Sequence, residues 1–254
     1  MADAKFGRLT PADFGQSMPV THPLYPRGPY YYRDCQAISF VYHTDEEEAL
    51  SRLPAELELV EPATAVLTVA RNGFSTVAGG YGECYLGFLC RYQGELMLYS
   101  CNLYETKENA SIIGREVYGF PKKLCEKIEF TTLGAGDVRI TVDLEGDHRL
   151  LSAMMRPSEN MALESLDPNP PLVVLKIIPD AEGSTTPSLA QLVKVQYEVS
   201  PIVGSDGRAE IFTGPGRIHH DQPSEIAVPV REMVSCTMMR FNGVLPYGTI
   251  LKTY

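Results

Sequence analysis

Two apolar runs joined by a tight turn, CYLGFLCRY at 84–92 and ELMLYSCNLY at 95–104, give the clearest indication of the fold. Each run has the length of a strand and is rich in the aromatic and apolar side chains that pleated sheets favour. Gln93-Gly94 connects them, and Gly94 can adopt the positive φ that a tight hairpin turn requires. This stretch therefore predicts an antiparallel β-hairpin.

Runs of the same kind recur along the chain between clusters of Gly, Pro, Asn and Asp. They predict further strands at 38–43, 64–70, 126–133, 138–144, 149–155, 172–178, 191–199 and 209–213. Helices are predicted at 45–53, with Asp45 as N-cap, and at 107–116. A third helix is predicted near 224–240, although Pro229 lies inside it. The fold class is thus α+β, predominantly antiparallel β, and so many strands favour a barrel or paired sheets.

The composition restricts the class of protein. The 254 residues carry 22 Lys+Arg against 32 Asp+Glu, and a net charge of −10 would repel a nucleic-acid backbone. No linker or repeat divides the chain, so 1–254 is expected to form one domain, with 1–20 as an extended N-terminal arm. No apolar run approaches the ~20 residues of a membrane span, and the N-terminus lacks a signal-peptide pattern. A cytoplasmic location is expected.

Cysteine and histidine spacing gives no metal or cofactor motif. The six cysteines include no C-x-x-C pair, and we interpret them as buried, reduced thiols. His219-His220 precedes Asp221 in a segment interpreted as a loop, and no third ligand is spaced to match. Dinucleotide, phosphate-loop and serine-hydrolase motifs do not occur. We therefore expect neither a metal site nor an external cofactor.

The strongest chemical signal is the segment GREVYGFPKKL at 114–124, which places Lys122 and Lys123 after an aromatic–proline step. Adjacent lysines are usually a solvated surface pair. This segment, however, resembles the active-site signature of the acetoacetate decarboxylase family, in which a Gly-Arg-Glu helix end leads through a Pro to two lysines. Further blocks resemble that family in the same order, at 26–30, 41–62, 175–183 and 212–218. The chain is identified as a member of this superfamily over nearly its whole length.

The resemblance implies a β-barrel or double-sheet fold with a few short helices, assembled as a homo-oligomer. It implies that Lys122 is the Schiff-base nucleophile, that Lys123 is its cationic neighbour and that Glu83 is a general acid/base. Arg115 and Glu116 would support the helix end. A free lysine is almost wholly protonated at neutral pH, so the nucleophile must be activated. Because neighbours on an extended segment point to opposite faces, we expect burial to contribute more to this activation than Lys123 does.

Parts of the decarboxylase pattern do not align with this chain. The arginine expected near the substrate carboxylate falls on Cys35, and Arg33 would replace it in substrate binding if strand parity holds between them. A second glutamate is expected within 64–70, where Thr68 is the nearest match. Tyr118 stands where the family pattern has a small residue, and we interpret it as a catalytic proton carrier or oxyanion donor, with ordinary barrel packing as the alternative role.

These departures favour a Schiff-base lyase that condenses a 2-keto acid such as pyruvate with an aldehyde and dehydrates the adduct, an aldolase-dehydratase. The alternative is decarboxylation of a 3-keto acid such as acetoacetate through the same lysine imine. A second alternative is a non-enzymatic barrel that binds a small ligand. In each case the partner is a small molecule rather than nucleic acid or a membrane. Tyr81, Tyr247 and Phe120 are expected to line its cavity, with ordinary packing as the alternative role.

Overall fold

The computed structural model describes residues 4–146, 148–165 and 169–254, and most of its regular elements are strands. The strands are β1 (Tyr30–His43), β2 (Glu58–Leu59), β3 (Thr64–Ser75), β4 (Tyr81–Tyr92), β5 (Glu95–Glu105), β6 (Lys122–Leu124), β7 (Lys127–Thr132), β8 (Val138–Leu144), β9 (His148–Met155), β10 (Glu159–Asn160), β11 (Leu172–Ile178), β12 (Leu189–Val195), β13 (Glu198–Pro201), β14 (Ile211–Thr213), β15 (Gly216–His220), β16 (Glu232–Leu245) and β17 (Thr249–Thr253). The helices are α1 (Glu46–Leu50) and α2 (Glu108–Ile113), with 3-10 turns at Pro11–Asp13 and Leu163–Ser165 and a π-helical turn, Gly114–Tyr118, that continues α2. The predicted fold class is confirmed.

The strands form two sheets. The larger sheet has the order β10-β14-β16-β1-β3-β4-β5-β11-β12-β17, with β13, β2 and β6 paired to β16, β4 and β5 respectively. The smaller sheet has the order β15-β9-β8-β7. Named strands pair antiparallel except where β5 meets β6 and β11. In the described part of the chain β10 and β17 do not pair with each other, so the larger sheet stays open and the double sheet, not the closed barrel, is the form adopted.

The predicted hairpin is confirmed and is formed by β4 and β5. Near the turn, the strands pair in the register that a two-residue loop sets. A bulge beside Gly87 then leaves Cys101 as an extra residue in β5, so each pair beyond it is displaced by one position. As a result, Glu83 lies opposite Glu105 rather than opposite Tyr104.

Two apolar clusters organise the interior. The first joins side chains of β1, β3 and β4 to side chains of β8 and β9, so it lies between the two sheets. The second is rich in tyrosine and packs side chains of β1 and β4 against α2, the π-helical turn, β11 and β12. This second cluster contains Tyr81, Tyr118 and Phe120, and it surrounds the segment that sequence analysis singled out.

The structure corrects several local predictions. The helix near 224–240 is wrong, because β16 occupies much of this segment and pairs with β1 along its length. The loop at His219-His220 is also wrong, because both residues belong to β15 and pair with β9. Asp45 precedes α1 but makes no capping hydrogen bond, since its carboxylate pairs with Arg231.

The start of the chain is described from residue 4. From there to residue 24 the side chains are almost all exposed, and the 3-10 turn is the regular element in this segment. None of the helices in the described ranges has the length and apolar character needed to cross a membrane.

Candidate active site

Lys122 projects from β6 into an enclosure of aromatic rings. β6 pairs in parallel with the end of β5, and Gly119 turns the chain towards it with a φ of +90°. The lysine is only 7% exposed. Its Nζ lies 5.7 Å from the ring centroid of Tyr81 and 5.9 Å from that of Phe120. These two rings, which we call the aromatic enclosure, keep the amine largely out of water.

The Gly-Arg-Glu part of the motif positions this lysine. A Cβ at Gly114 would lie 2.4 Å from Lys122 Cδ and 2.5 Å from Cε, so the glycine leaves the space that the lysine chain fills. Arg115 Nη1 donates a hydrogen bond of 3.0 Å to the carbonyl oxygen of Lys122. Glu116 accepts one of 2.7 Å from the hydroxyl of Tyr25. The arginine therefore fixes the backbone of β6, and the glutamate ties the π-helical turn to the N-terminal segment.

Two carboxylates meet the lysine amine. Nζ lies 2.6 Å from Oε2 of Glu105 and 3.8 Å from Oε2 of Glu83. Glu105 is 0% exposed, whereas the Glu83 side chain is 20% exposed. Burial raises the pKa of Glu105 to about 7, although the neighbouring Lys122 acts in the opposite direction. The site thus places a buried amine beside one buried carboxyl group and one that is partly exposed to solvent.

Glu105 was not predicted from the sequence. A hairpin drawn strictly from the Gln93-Gly94 turn would place Tyr104 opposite Glu83, and only the bulge brings Glu105 there. The available signal was an acidic residue at the end of a largely apolar strand, shortly before a helix. A carboxylate is costly to bury without a partner, so an acidic residue in this strand indicates that a cationic or hydrogen-bonding group lies beside it.

Lys123 is turned away from this site. Successive side chains of a strand point to opposite faces, and the Lys123 side chain is 59% exposed and forms an ion pair with Glu225. The prediction that Lys123 is the cationic neighbour of the reactive amine is therefore wrong. The two side chains lie on opposite faces of β6, as expected for neighbours on an extended segment.

Arg33 also lies outside the enclosure. The chain bulges at this point, with Asp34 at a φ of +50° and the pairing of β1 shifted between Tyr32 and Cys35. Both of those flanking residues are buried, while Arg33 is exposed, and its guanidinium donates to the Tyr32 carbonyl oxygen and lies over the ring of Tyr31. The prediction that Arg33 shares the inward parity of Cys35 is wrong, because the bulge reverses it.

The predicted tyrosines occupy different environments. Tyr118 is 1% exposed, its ring lies 5.6 Å from that of Phe120, and its hydroxyl has no hydrogen-bond partner in the described structure. The Tyr81 hydroxyl donates to the hydroxyl of Tyr32 over 3.3 Å. Tyr247 is 50% exposed, and its hydroxyl accepts a hydrogen bond from the backbone N–H of Gly28, so it is engaged at the surface outside the aromatic enclosure.

The other residues singled out in the sequence are Thr68 and the cysteines. Thr68 is buried and hydrogen-bonded to Ser39, with 2.9 Å between the two hydroxyl oxygens. The six cysteines are free thiols, as predicted, and five of them are buried, whereas Cys101 is partly exposed. Within the ranges that the structure describes, no group of three or more His, Cys, Asp or Glu side chains could hold a metal ion.

The sequence of this chain is similar to those of known proteins. The chain matches the family model described as acetoacetate decarboxylase over residues 17–254. Acetoacetate decarboxylase 1 of Bradyrhizobium diazoefficiens is 32% identical over 248 residues, which are 94% of this chain and 93% of that protein. The match therefore runs along nearly the whole of both sequences.

Solved structures agree with the sequence match. A structure from structural studies of acetoacetate decarboxylase superimposes with a TM-score of 0.83 at 25% identity, over 97% of this chain and 99% of the other. The enduracididine biosynthesis enzyme MppR, solved with pyruvate, superimposes with a TM-score of 0.77 at 18% identity, over 94% and 98% of the two chains. The second likeness shows a shared fold.

Proposed function

Because this chain belongs to the acetoacetate decarboxylase family and is a lyase, we propose that it decarboxylates a 3-keto acid through an imine formed on Lys122. The observation that carries the proposal is the buried amine, held 2.6 Å from Glu105 inside the aromatic enclosure. A lysine amine forms an imine with a ketone. The imine then accepts the electron pair that the departing CO₂ leaves behind.

The charges around Lys122 support loss of the substrate carboxylate rather than its retention. Lys123 and Arg33, the cations expected there, face away from the amine, whereas Glu83 and Glu105 lie beside it. A substrate carboxylate on the imine would be poorly hydrated among aromatic rings and would face acidic groups. Its conversion to neutral CO₂ removes these unfavourable interactions and therefore favours decarboxylation.

Condensation of a 2-keto acid with an aldehyde, favoured by the sequence, is less well supported. That reaction keeps the substrate carboxylate throughout, which calls for charged donors next to it. The absence of a glutamate at 64–70 favoured condensation, but Glu105 supplies a second carboxylate from β5. A non-enzymatic binding role finds no support in a chain that matches a decarboxylase over 94% of its length.

Two further groups complete the proposed machinery. Glu83 is partly exposed and close to the amine, which suits a general acid/base that exchanges protons with water. Tyr118 has a buried hydroxyl without a partner, so it is available to donate a hydrogen bond to a substrate oxygen. Tyr81 and Phe120 would form the apolar wall.

Borohydride trapping tests the proposal. Protein incubated with acetoacetate and borohydride should gain mass on Lys122, and Lys122→Ala should not. Lys123→Ala is the matched control, because its side chain lies on the other face of β6, and it should trap normally. CO₂ release from acetoacetate is followed in parallel with enone formation from pyruvate and an aromatic aldehyde. Enone formation without CO₂ release would favour condensation, and no adduct with any keto acid would contradict both reactions.

A further inference from the structure

We propose that Glu105 carries the proton of the Lys122 ammonium during imine formation, while Glu83 carries the proton that comes from solvent. This inference rests on the proposed function and assigns separate tasks to two carboxylates that face each other across β4 and β5. Glu105 then counts as a catalytic residue, because it contacts the reacting nitrogen directly.

The distances and exposures distinguish the two groups. Glu105 Oε2 is the nearer acceptor, at 2.6 Å from Nζ against 3.8 Å for Glu83. Burial also allows Glu105 to hold a proton near neutral pH, since its pKa is raised to about 7. In a poorly hydrated site, a neutral amine beside a neutral carboxylic acid avoids the cost of burying two charges. The contact is therefore suited to moving one proton between nitrogen and oxygen.

The groups around Glu105 offer this proton few other destinations. The titratable groups that face it are Lys122, Glu83, Tyr32, Tyr81 and Cys125. Burial raises the pKa of both tyrosines, and it raises the pKa of Cys125 to about 12, so these three stay neutral at physiological pH. Ser111 is the additional hydroxyl near the carboxyl group. Lys122 and Glu83 are thus the remaining described groups with which Glu105 can exchange this proton.

Imine formation balances without an external proton. The ammonium gives one proton to Glu105, and the neutral amine attacks the keto carbon, so that an N–C bond forms while the C–O double bond becomes single. A nitrogen proton moves to that oxygen. Glu105 then returns its proton to the hydroxyl, the C–O bond breaks as water leaves, and the nitrogen retains one positive charge as the iminium. The proton that Glu105 accepts is the proton that it returns.

The later steps require one proton from solvent. When the C–C bond to the carboxylate breaks, CO₂ leaves and the electron pair forms an enamine on the substrate. Protonation of the enamine carbon restores the iminium, and addition of water releases the ketone and the Lys122 ammonium. Glu83 is 20% exposed and can reload from water, whereas Glu105 is 0% exposed. The geometry therefore assigns the enamine proton to Glu83.

Two measurements on the intact protein separate these tasks. Borohydride trapping with acetone reports imine formation alone. Exchange of the acetone methyl protons in D₂O reports imine formation followed by enamine protonation. Glu105→Gln is expected to slow trapping at least about 100-fold, the lower range for loss of a general acid/base. Glu83→Gln should trap at close to the wild-type rate but lose exchange by at least about 100-fold. Glu225→Gln, which alters the partner of Lys123, is the matched control and should leave both rates unchanged.

The outcomes are decisive in either direction. Equal losses of trapping in Glu83→Gln and Glu105→Gln, or wild-type trapping in Glu105→Gln, would overturn the assignment. If the amide variant does not fold, Glu105→Asp replaces it, because this variant moves the carboxylate by one methylene and should slow trapping by about tenfold. An unchanged rate in that variant would overturn the assignment as well. Failure of the wild-type protein to trap any ketone would instead contradict the proposed function itself.

Discussion

Glu83 and Glu105 lie directly opposite each other on neighbouring antiparallel strands, and Nζ of Lys122 is within 4 Å of a carboxylate oxygen of each. Like charges in opposed positions destabilise a sheet. The pair is therefore compensated either by the lysine ammonium or by a proton on one carboxyl group. Whenever the lysine nitrogen is neutral, a carboxyl proton must take over, so the charge state of the amine and that of the carboxyl pair change together.

The first prediction concerns stability against pH. The pKa of Glu105 is raised to about 7 in the folded protein from an ordinary 4.5, so the folded state binds this proton more tightly than the unfolded chain. This contribution to stability is fully present below pH 4.5 and is lost as the pH rises through about 7. The free energy of unfolding of wild type minus that of Glu105→Gln should fall over this range, by on the order of 3 kcal/mol. Denaturant titrations at several pH values measure it, and a difference that is constant with pH would contradict the prediction.

Lys123 should matter little for catalysis. Replacing it by Gln removes an exposed ion pair with Glu225 and leaves the surroundings of Lys122 unchanged. We expect kcat/KM within about threefold of wild type and a loss of unfolding free energy of no more than about 1 kcal/mol. Steady-state kinetics and denaturant unfolding test this, with Lys122→Gln as the inactive reference. A 100-fold fall of kcat/KM in Lys123→Gln corresponds to about 3 kcal/mol of activation free energy. Such a fall would show that the charge of Lys123 contributes to catalysis.

Gly114→Ala should reduce activity while the fold persists. Gly114 has helical backbone angles, so alanine is compatible with the chain there. The new Cβ would meet Cδ and Cε of Lys122, and this flexible side chain would have to move. A displacement of the amine by about 1 Å should lower kcat/KM by roughly 100-fold with little change in Tm. Gly134→Ala is the matched control, because its Cβ would meet nothing within 4 Å. A large loss of Tm in Gly114→Ala alone would point to packing instead.

Tyr118→Phe should separate stability from activity. The hydroxyl is buried without a partner, so its removal should leave the unfolding free energy unchanged or raise it by about 1 kcal/mol. If the hydroxyl donates to the substrate, kcat/KM should fall by about tenfold. Tyr81→Phe provides the contrast, because it removes a hydroxyl that bonds Tyr32. Wild-type kinetics in Tyr118→Phe would leave this tyrosine with a packing role only.

The sequence was sufficient to predict part of the surroundings of Lys122. The β4–β5 hairpin follows from turn chemistry. The two-residue period of a strand argued for a weak contact between Lys122 and Lys123, against the neighbouring role that the family resemblance implied. Arg33 was misplaced and Glu105 was missed for a common reason. Arg33 lies within a bulge of β1 and Glu105 lies beyond a bulge of β5, and one extra residue reverses the parity of the side chains on either side of it. Neither bulge carries a glycine at its extra residue, so the pattern gave little warning.

The helix prediction near 224–240 was wrong for a different reason. Its apolar residues fit a helical period and a strand period almost equally well, so local pattern could not decide between them. The decision is made by β1, which lies about 200 positions earlier and pairs with β16 from Tyr30–Leu245 to His43–Glu232. A long-range pairing of this kind is tertiary context, and it overrides local preference.

The parallel crossover from β5 through α2 to β6 has a consequence for how the chain folds. It separates Glu105 from Lys122 by only 17 positions, and the hairpin brings in Glu83 from the same short region, so these contacts have a small loop-closure cost. Tyr32, which faces the site from β1, lies 49 positions before its partner Tyr81. The ammonium can therefore meet its carboxylates while all three are still hydrated, before the distant strand docks. If β6 joins β5 before β1 docks, the lysine charge is already paired with Glu105 when the site closes over it.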